Sequence, residues 1–513
     1  MAVENINWRG GLCMEVAPVP NNVVIFGASG DLAARKLLPA LFSLEQRKLL
    51  HDESHIIGCA RTPLTDEVFR ENARRAILER FTKANPAELE KFLGKLSYIP
   101  GDYASPTLYE LLSQKLAEME KDSALLPGRV YYLSVPSSLY GTVVHLLGEA
   151  GLAKENYDGH PWRNVVIEKP FGHDLESSQK LNRHLRAVLK ERQLYRIDHY
   201  LGKETVQNIL MLRFANIIFE PIWNNRYIEH VQISAAETLG VEHRAGYYDQ
   251  AGRLRDMFQN HMLEMLSLMA MEPPQSFKAD RVRDEKAKLL RSIRPFPKEK
   301  LEKFIVRAQY GAGRVGGKEL PAYRHEEGVA HDSRTETFTA AKLFIDNWRW
   351  HGVPFYLRSG KRLARRMSEI AVTFKRVPHS LFEPIRAVDL APNTLVMNVQ
   401  PEEGFSLSIQ GKQPGPKLCM GSLTMNFRYA DIFKDEIPEA YERLLLDCML
   451  GDQTLFIRND TIELAWGLLE PVLDCWSQEQ SPCPLHTYAA GSWGPEASEE
   501  LLARDGYLWR NSI

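Results

Sequence analysis

Short apolar runs alternate with amphipathic segments from residue 22 to about residue 198, and this alternation constrains the fold more than any other feature of the chain. Four runs are apolar over most of their length, as strands buried on both faces are. These predicted strands cover residues 23–26, 55–60, 129–135 and 164–168. Predicted helices fill the gaps, notably at residues 37–50, 66–80 and 177–193. We therefore predict an N-terminal arm at residues 1–21 and an α/β domain at residues 22–198, built on a Rossmann-like, doubly wound parallel sheet.

Beyond residue 198 the pattern changes to longer segments in which apolar and polar residues alternate. These predicted strands cover residues 230–238, 303–310, 336–350, 369–377 and 393–409, the last with a turn at 402–404. Such alternation suits a large, mostly antiparallel sheet with one covered face. Further predicted helices cover residues 254–271, 438–450 and 460–476. Residues 199–513 are thus predicted to form an α+β domain, and the Gly- and charge-rich segment 312–333 to be its most flexible part.

The composition excludes several classes of protein. Lys and Arg (64) nearly balance Asp and Glu (66), so no overall field attracts nucleic acid or an acidic membrane. The cysteines show neither a CxxC pair nor zinc-ligand spacing to a histidine, so we expect reduced thiols, no metal and a cytoplasmic location. They are Cys13, Cys59, Cys419, Cys448, Cys475 and Cys483. No apolar leader or 18-residue apolar stretch predicts export or a membrane anchor.

A glycine turn follows the first predicted strand and precedes a helix. It reads Gly27-Ala28-Ser29-Gly30-Asp31-Leu32-Ala33. In this context glycines let the backbone approach a pyrophosphate, and the helix N-terminus offers N–H groups to it. The GxxGxxA spacing is one residue longer than the standard fingerprint, so a plain tight turn is an alternative interpretation.

The end of the next predicted strand indicates which dinucleotide binds. An NAD site would place a carboxylate there, whereas this strand runs into Arg61, which suits the 2′-phosphate of NADP. A merely exposed arginine is the alternative. Tyr140, after the third predicted strand, could flank the cofactor or pack in the core.

Two segments predict a site for a phosphorylated substrate. RIDHYLGKE, at residues 196–204, concentrates an acid, an imidazole, a phenol and cations; in a helix, His199 and Lys203 would share one face and could donate to one phosphate. EKPFG, at residues 168–172, puts Lys169 at a strand end, where the crevice of a parallel sheet lies. A solvated charged turn and a lysine that exits into solvent are the alternatives.

Two further segments complete the candidate site. His261 lies in a mostly apolar helical pattern, where a structural histidine is common, but a carboxylate partner would make it suited to act as a general base. Residues 358–366 pack five cations into nine positions, which is either a solvated basic loop or a second wall for an anionic substrate.

Together these segments resemble the glucose-6-phosphate dehydrogenase family. GASGDLA, GCART, EKPFG, RIDHYLGKE, RDMFQNH and GVPFYLRSGKRL occur in the family's order and at its spacing, from about residue 22 to about residue 504. The resemblance implies oxidation of D-glucose 6-phosphate at C1 to 6-phospho-D-glucono-1,5-lactone with NADP, the first step of the oxidative pentose phosphate pathway. It also implies a homodimer or a dimer of dimers.

The resemblance assigns roles to individual residues. His261 would be the general base, and Asp198 would hold and stabilise its imidazolium. The substrate-binding residues would be Lys169, His199, Tyr200, Lys203, Glu237, Asp256, Lys361 and Arg366. The cofactor-binding residues would be Gly27, Ala28, Ser29, Gly30, Asp31, Leu32, Ala33, Arg61, Tyr140 and Lys169.

Some members bind a second, structural NADP, which we do not predict here because Met367 and Trp493 stand where those members carry basic residues. Two other functions stay open. A sugar oxidoreductase of the glucose–fructose oxidoreductase type would share the glycine loop and the Glu-Lys-Pro strand end but would give no reason for RIDHYLGKE. A non-catalytic NADP-binding protein would keep the fold without the chemistry.

Overall fold

The computed structural model describes residues 17–121, 126–156, 159–433 and 438–511, so Cys13 and most of the predicted arm lie outside the described residues. The described strands are β1 (Asn21–Phe26), β2 (Ile56–Ala60), β3 (Leu96–Pro100), β4 (Gly128–Leu133), β5 (Arg163–Ile167), β6 (Leu194–Ile197), β7 (Ile228–Ala236), β8 (Ile305–Gly311), β9 (Gly313–Val315), β10 (Lys318–Leu320), β11 (Phe338–Phe344), β12 (Pro354–Gly360), β13 (Met367–Phe374), β14 (Thr394–Gln400), β15 (Gly404–Lys412), β16 (Met420–Arg428), β17 (Phe456–Ile457) and β18 (Leu485–Ala489).

Helices cover both sheets, and short 3₁₀ turns link several elements. The α-helices are α1 (Leu38–Gln46), α2 (Asp66–Arg80), α3 (Pro86–Gly94), α4 (Pro106–Glu120), α5 (Tyr140–Glu149), α6 (Leu175–Arg186), α7 (Glu204–Phe214), α8 (Ala245–Arg253), α9 (Leu263–Ala270), α10 (Ala279–Arg291), α11 (Tyr429–Ile432), α12 (Ala440–Leu450), α13 (Asn459–Ser477) and α14 (Glu496–Ala503). Two segments are π-helical, Ala33–Leu37 before α1 and Leu254–Met262 before α9. Among the described helices, none is both long and apolar enough to cross a membrane.

The first sheet confirms the predicted Rossmann-like α/β fold. Its order is β17-β6-β5-β4-β1-β2-β3, and β1 to β6 are parallel in the order 3-2-1-4-5-6 that doubly wound dinucleotide-binding domains use. Every residue of β1 is buried, as its unbroken apolar run predicts for a central strand.

Three strands of this sheet were not predicted from the pattern. They are β3, β6 and β17, of which β17 is antiparallel and comes from the second half of the chain. The predicted helix at 177–193 is also too long at its C-terminal end. It ends at Arg186, because the chain then turns so that β6 can enter the sheet.

The second sheet confirms the predicted mostly antiparallel architecture. Its order is β16-β15-β14-β13-β7-β12-β11-β8-β18, and among the neighbours so paired only β7–β12 and β8–β18 are parallel. The predicted strand at 336–350 is wrong beyond Phe344. The chain turns there, since the Trp350 N–H donates to Asn347 Oδ1 at 2.8 Å and the Val353 N–H to the Trp350 carbonyl at 2.9 Å.

Both faces of the second sheet are covered over part of its area. One face belongs to a large core that also fills the first domain, and α7 and α9 pack in it. The prediction of a single covered face is wrong around β8, β11 and β12, where α14 and Trp509 cover the far face and Trp509 is only 5% exposed. The segment predicted to be flexible contains the β9–β10 hairpin, and its flexibility stays a prediction.

Candidate active site

The candidate site lies where the carboxyl ends of β5 and β6 meet the π-helical segment Leu254–Met262. Lys169 follows β5 and Asp198 follows β6, so both stand at the edge of the parallel sheet where ligands bind. His261 comes from the π-helical segment, and its Nδ1 is hydrogen-bonded to Asp198 Oδ1. Lys169 Nζ lies 3.0 Å from His261 Nε2. Residues that are 92 positions apart thus form one cluster.

The protonation states follow from burial and from this pairing. Burial alone would raise the pKa of Asp198, but the adjacent His261 ring and the Tyr200 N–H, which donates at 2.9 Å, hold it at about 2. Burial lowers the pKa of His261, and the Asp198 carboxylate opposes this shift. The pair is therefore a carboxylate and a neutral imidazole near pH 7. Since Asp198 accepts from Nδ1, Nε2 is the nitrogen that can accept a proton.

Lys169 is fixed by Asp256. Its ammonium donates to the Asp256 carbonyl at 3.0 Å and to Asp256 Oδ1 at 3.1 Å. Burial would lower the pKa of Lys169, but Asp256 raises it, so the ammonium stays charged. A cavity of about 420 Å³ opens beside it, a volume that suits small ligands. Its lining includes Lys169, Tyr247, Arg255 and Asn260.

A second acid lies between two cations across the site. Glu237 Oε2 accepts from Lys361 at 2.8 Å and from Arg253 at 3.1 Å. Burial would raise the pKa of Glu237, but these two cations hold it at about 2. Arg253 was missed by the sequence reasoning, because an arginine just before a predicted helix gives no local sign that it is fully buried.

The RIDHYLGKE segment is not helical where we considered a helix. Residues 199–203 form turns, and α7 begins at Glu204. The turn brings Lys203 Nζ to 2.6 Å from Gln400 Oε1, and Arg366 contacts the same oxygen at 3.4 Å. Gln400, at the end of β14, was also missed, since its place in the site depends on the pairing of distant strands.

Lys203, His199 and Arg366 form one end of the site, the cationic end, and burial shifts the pKa values of Lys203 and His199. Burial lowers the pKa of Lys203 to about 8, with Glu403 opposing and Arg366 adding to the shift. Burial also lowers the pKa of His199 well below its usual value, so that ring is neutral and offers a single N–H. Lys203 and Arg366 are therefore the charged groups of this end.

Aromatic rings connect this end of the site to His261. The Tyr200 ring stacks on His261 with centroids 4.4 Å apart, and its hydroxyl lies 3.3 Å from both Ser368 Oγ and Gln400 Nε2. The ligand atoms of Asp198, His199 and His261 lie within 4.8 Å of one another, as in a metal site. The ammonium of Lys169 beside His261 disfavours a cation there.

The glycine turn requires glycine at its first position. Gly27 has φ +89°, and a Cβ there would lie 2.0 Å from the Ser134 carbonyl oxygen. Residues 29–31 are exposed at the start of the first helix. At the end of β2, Thr62 Oγ1 lies 3.1 Å from Ser29 Oγ, and the exposed Arg61 lies over the Tyr103 ring at 5.9 Å. The role of Arg61 at a 2′-phosphate stays a prediction.

Tyr140 is placed differently from the other predicted cofactor residues. It is 1% exposed, and its hydroxyl donates to the Glu168 carbonyl at 2.8 Å. This favours the core-packing alternative, in which Tyr140 holds the strand end that carries Lys169. Its role at the cofactor stays a prediction.

Both halves of the chain match known proteins of one family. Residues 24–208 match the model of "Glucose-6-phosphate dehydrogenase, NAD binding domain", and residues 210–510 match that of its C-terminal domain. The glucose-6-phosphate 1-dehydrogenase of Aggregatibacter actinomycetemcomitans is 44% identical over 95% of this chain and 97% of its own length. That of Treponema pallidum is 45% identical over 96% and 95%. A solved glucose-6-phosphate dehydrogenase in complex with glucose-6-phosphate superposes with a TM-score of 0.89, at 36% identity, over 97% of this chain and all of that one.

Proposed function

The chain belongs to the glucose-6-phosphate dehydrogenase family, and from this premise we propose that it oxidises D-glucose 6-phosphate at C1 to 6-phospho-D-glucono-1,5-lactone with NADP. The observation that carries the proposal is the hydrogen-bonded pair of Asp198 and His261 beside Lys169, at the carboxyl edge of a dinucleotide-binding sheet. NADP, when bound, supplies the acceptor for the hydride that leaves C1. The remaining chemistry falls to side chains of this chain.

The proton transfer is assigned to His261. Its Nε2 accepts the proton of the C1 hydroxyl, and the imidazolium that forms is stabilised by the ionised Asp198 on Nδ1. The buried, hydrogen-bonded pair keeps the ring in the orientation and tautomer that this step requires. Lys169 lies against Nε2, so substrate binding must move its ammonium onto the sugar or the cofactor.

Recognition of the sugar phosphate is assigned to both walls of the site. Lys203, Arg366 and the neutral His199 supply N–H donors to the phosphate, and Gln400, which joins the two cations, adds an amide. Glu237 and Asp256 are held by cations in ionised form and can accept hydrogen bonds from sugar hydroxyls. Lys361 orients Glu237, and Tyr200 joins the phosphate end to the histidine.

Preference for NADP over NAD is assigned to Arg61. Arg61 follows the end of β2, near where the 2′-position of the adenosine ribose lies in this fold, and its guanidinium lies over the Tyr103 ring. The residues of the glycine turn would hold the pyrophosphate through backbone N–H groups.

We also propose that the protein forms a homodimer or a dimer of dimers through the second sheet. The edge strand β16 is mostly exposed and carries Leu423 (56% exposed) and Met425 (53%), and unpaired, apolar sheet edges favour association. Sedimentation velocity tests this. Leu423→Glu should shift the protein to monomer, whereas Val68→Glu on α2 should not; a monomeric wild-type protein would refute the assignment.

The cytoplasm is the proposed location. The described cysteines are free thiols, and even Cys475 and Cys483, whose Sγ atoms are 3.7 Å apart, are not bonded to each other. Reduced thiols are usual in that compartment. Cell fractionation with detection of the native protein tests the location.

One assay tests the activity and the two alternatives. Formation of NADPH or NADH is followed by absorbance with glucose 6-phosphate or glucose, each with NADP and with NAD. We expect rapid reduction only with the phosphorylated sugar, and faster reduction with NADP at limiting cofactor. Equal rates with glucose would favour a glucose–fructose oxidoreductase type of activity. No reduction with either sugar would indicate a non-catalytic NADP-binding protein.

A further inference from the structure

The π-helical segment that carries Asp256 and His261 starts at a sharp break in the chain. Gly252 has φ +67° and breaks the helical conformation near the end of α8, two residues before this segment. A side chain at this position would collide with Glu336, since a Cβ would lie 2.5 Å from Glu336 Oε1. The new helical segment therefore begins directly against Glu336.

Glu336 accepts hydrogen bonds from two successive backbone N–H groups where the π-helical segment begins. The Arg253 N–H donates to the Glu336 carbonyl at 3.0 Å, and the Leu254 N–H donates to Glu336 Oε1 at 2.9 Å. Glu336 lies two residues before β11 and is only 6% exposed. The first amides of a helix lack partners within it, so oxygens that accept from them stabilise the helix start. Glu336 therefore acts as a helix cap supplied from a distant part of the chain.

Arg253 also contacts residues on the opposite side of the site. The Arg253 guanidinium donates to Ser359 Oγ at 2.9 Å and to Glu237 Oε2 at 3.1 Å. The backbone contact with Glu336 thus fixes the residue that holds Glu237, just before the segment that bears Asp256 and His261. Loss of this contact would displace groups on both sides of the substrate.

We propose that Glu336 is a positioning residue for the dehydrogenase reaction: it fixes the start of the π-helical segment so that His261 meets Asp198 and Asp256 meets Lys169. The inference rests on the proposed function. Glu336 itself touches neither reacting atoms nor cofactor, and its effect is transmitted through the backbone of residues 253 and 254.

The test compares three variants by steady-state kinetics, using glucose 6-phosphate and its C1-deuterated form. Glu336→Ala removes the acceptor, and Glu336→Gln keeps an amide oxygen in its place. Thr337→Val is the matched control, because Thr337 is also buried and its hydroxyl contacts the Tyr310 N–H and the Tyr488 hydroxyl but no residue of the π-helical segment. If Glu336→Ala does not fold, Glu336→Asp, which keeps the carboxyl group and shortens the reach, replaces it.

We expect Glu336→Ala to lower kcat by about tenfold or more, since small misplacements of reacting groups are costly. Its deuterium isotope effect on kcat should rise, because the C1–H step becomes rate-limiting, and Glu336→Gln should recover most of the rate. Thr337→Val should lower the Tm without changing either kinetic quantity. If Glu336→Ala behaves like Thr337→Val, the inference is wrong. If the wild-type protein does not reduce NADP with glucose 6-phosphate, the proposed function fails instead.

Discussion

The proposed proton-transfer centre, Asp198 and His261, and the glycine turn proposed to hold the cofactor lie at the same sheet edge but are built in opposite ways. Asp198 and His261 are each 1% exposed and are fixed by side-chain hydrogen bonds to residues far away in the chain. Residues 29–31 of the cofactor turn are exposed and depend on local backbone geometry. A substitution in the centre should therefore greatly lower kcat. A substitution near the turn should change affinity only in part.

The largest expected effect comes from the centre. His261→Asn should lower kcat by about 10² to 10⁴ or more, because a general base contributes that much, with a small change in the KM for glucose 6-phosphate. His230→Asn, which alters another buried histidine outside the site, is the control for folding. Near-normal turnover of His261→Asn would remove the basis of the comparison.

The phosphate end should give an intermediate effect. Lys203→Gln should lower kcat/KM for glucose 6-phosphate by about 10- to 100-fold, since a charge-assisted hydrogen bond contributes on the order of 2 kcal/mol. Activity with unphosphorylated glucose, measured in parallel, should hardly change. Lys375→Gln, a surface lysine on the Asn225 carbonyl, is the matched control. A similar loss with both sugars would mean that Lys203 does not contact the phosphate.

The cofactor side should give a smaller, selective effect. Arg61→Ala should raise the KM for NADP by about tenfold and leave the KM for NAD nearly unchanged, because only the 2′-phosphate contact is removed. Thr62→Val should also raise the KM for NADP relative to the KM for NAD, but by a smaller factor. Initial rates with varied cofactor measure both. An equal change for the two cofactors would show that Arg61 does not distinguish them.

The pH dependence should give the smallest effect and separates the two ends of the site. The neutral His261 is the active form, and burial lowers its pKa, so kcat/KM should decline only below the usual histidine range of about 6.5. Lys203 is proposed to bind the phosphate in its charged form, and burial lowers its pKa to about 8, so kcat/KM should fall by about twofold at that pH and further above it. Lys203→Arg should shift the decline of kcat/KM at alkaline pH to higher pH. If that decline stays where it is, it belongs to another group.

Local sequence was sufficient for features that depend on neighbouring residues. The unbroken apolar run before Gly27 predicted a buried strand and a turn, and Lys169 was correctly placed at a strand end by the run before it. The alternation in the second half predicted its sheet, although Phe344 ends a strand that the pattern extended to Trp350.

Features that depend on distant parts of the chain could not be predicted from local pattern. The contact of Asp198 with His261 spans 63 residues and was implied only by resemblance to a family. Gln400 reaches Lys203 across 197 residues, and the two-residue strand β17 is too short to show any periodicity. The turn at residues 199–203 was considered as a helix because charge spacing alone does not distinguish these conformations.

The strand β17 has a consequence for how substrate enters. It pairs with β6 through Phe456 and Ile457, and α12 and α13 pack on helices of the first domain. A hinge that swung the two halves apart would have to break this pairing on the strand that leads directly to Asp198. Access to the cleft should therefore come from small local displacements of side chains such as Lys169, and the distance between the halves should stay constant through the catalytic cycle.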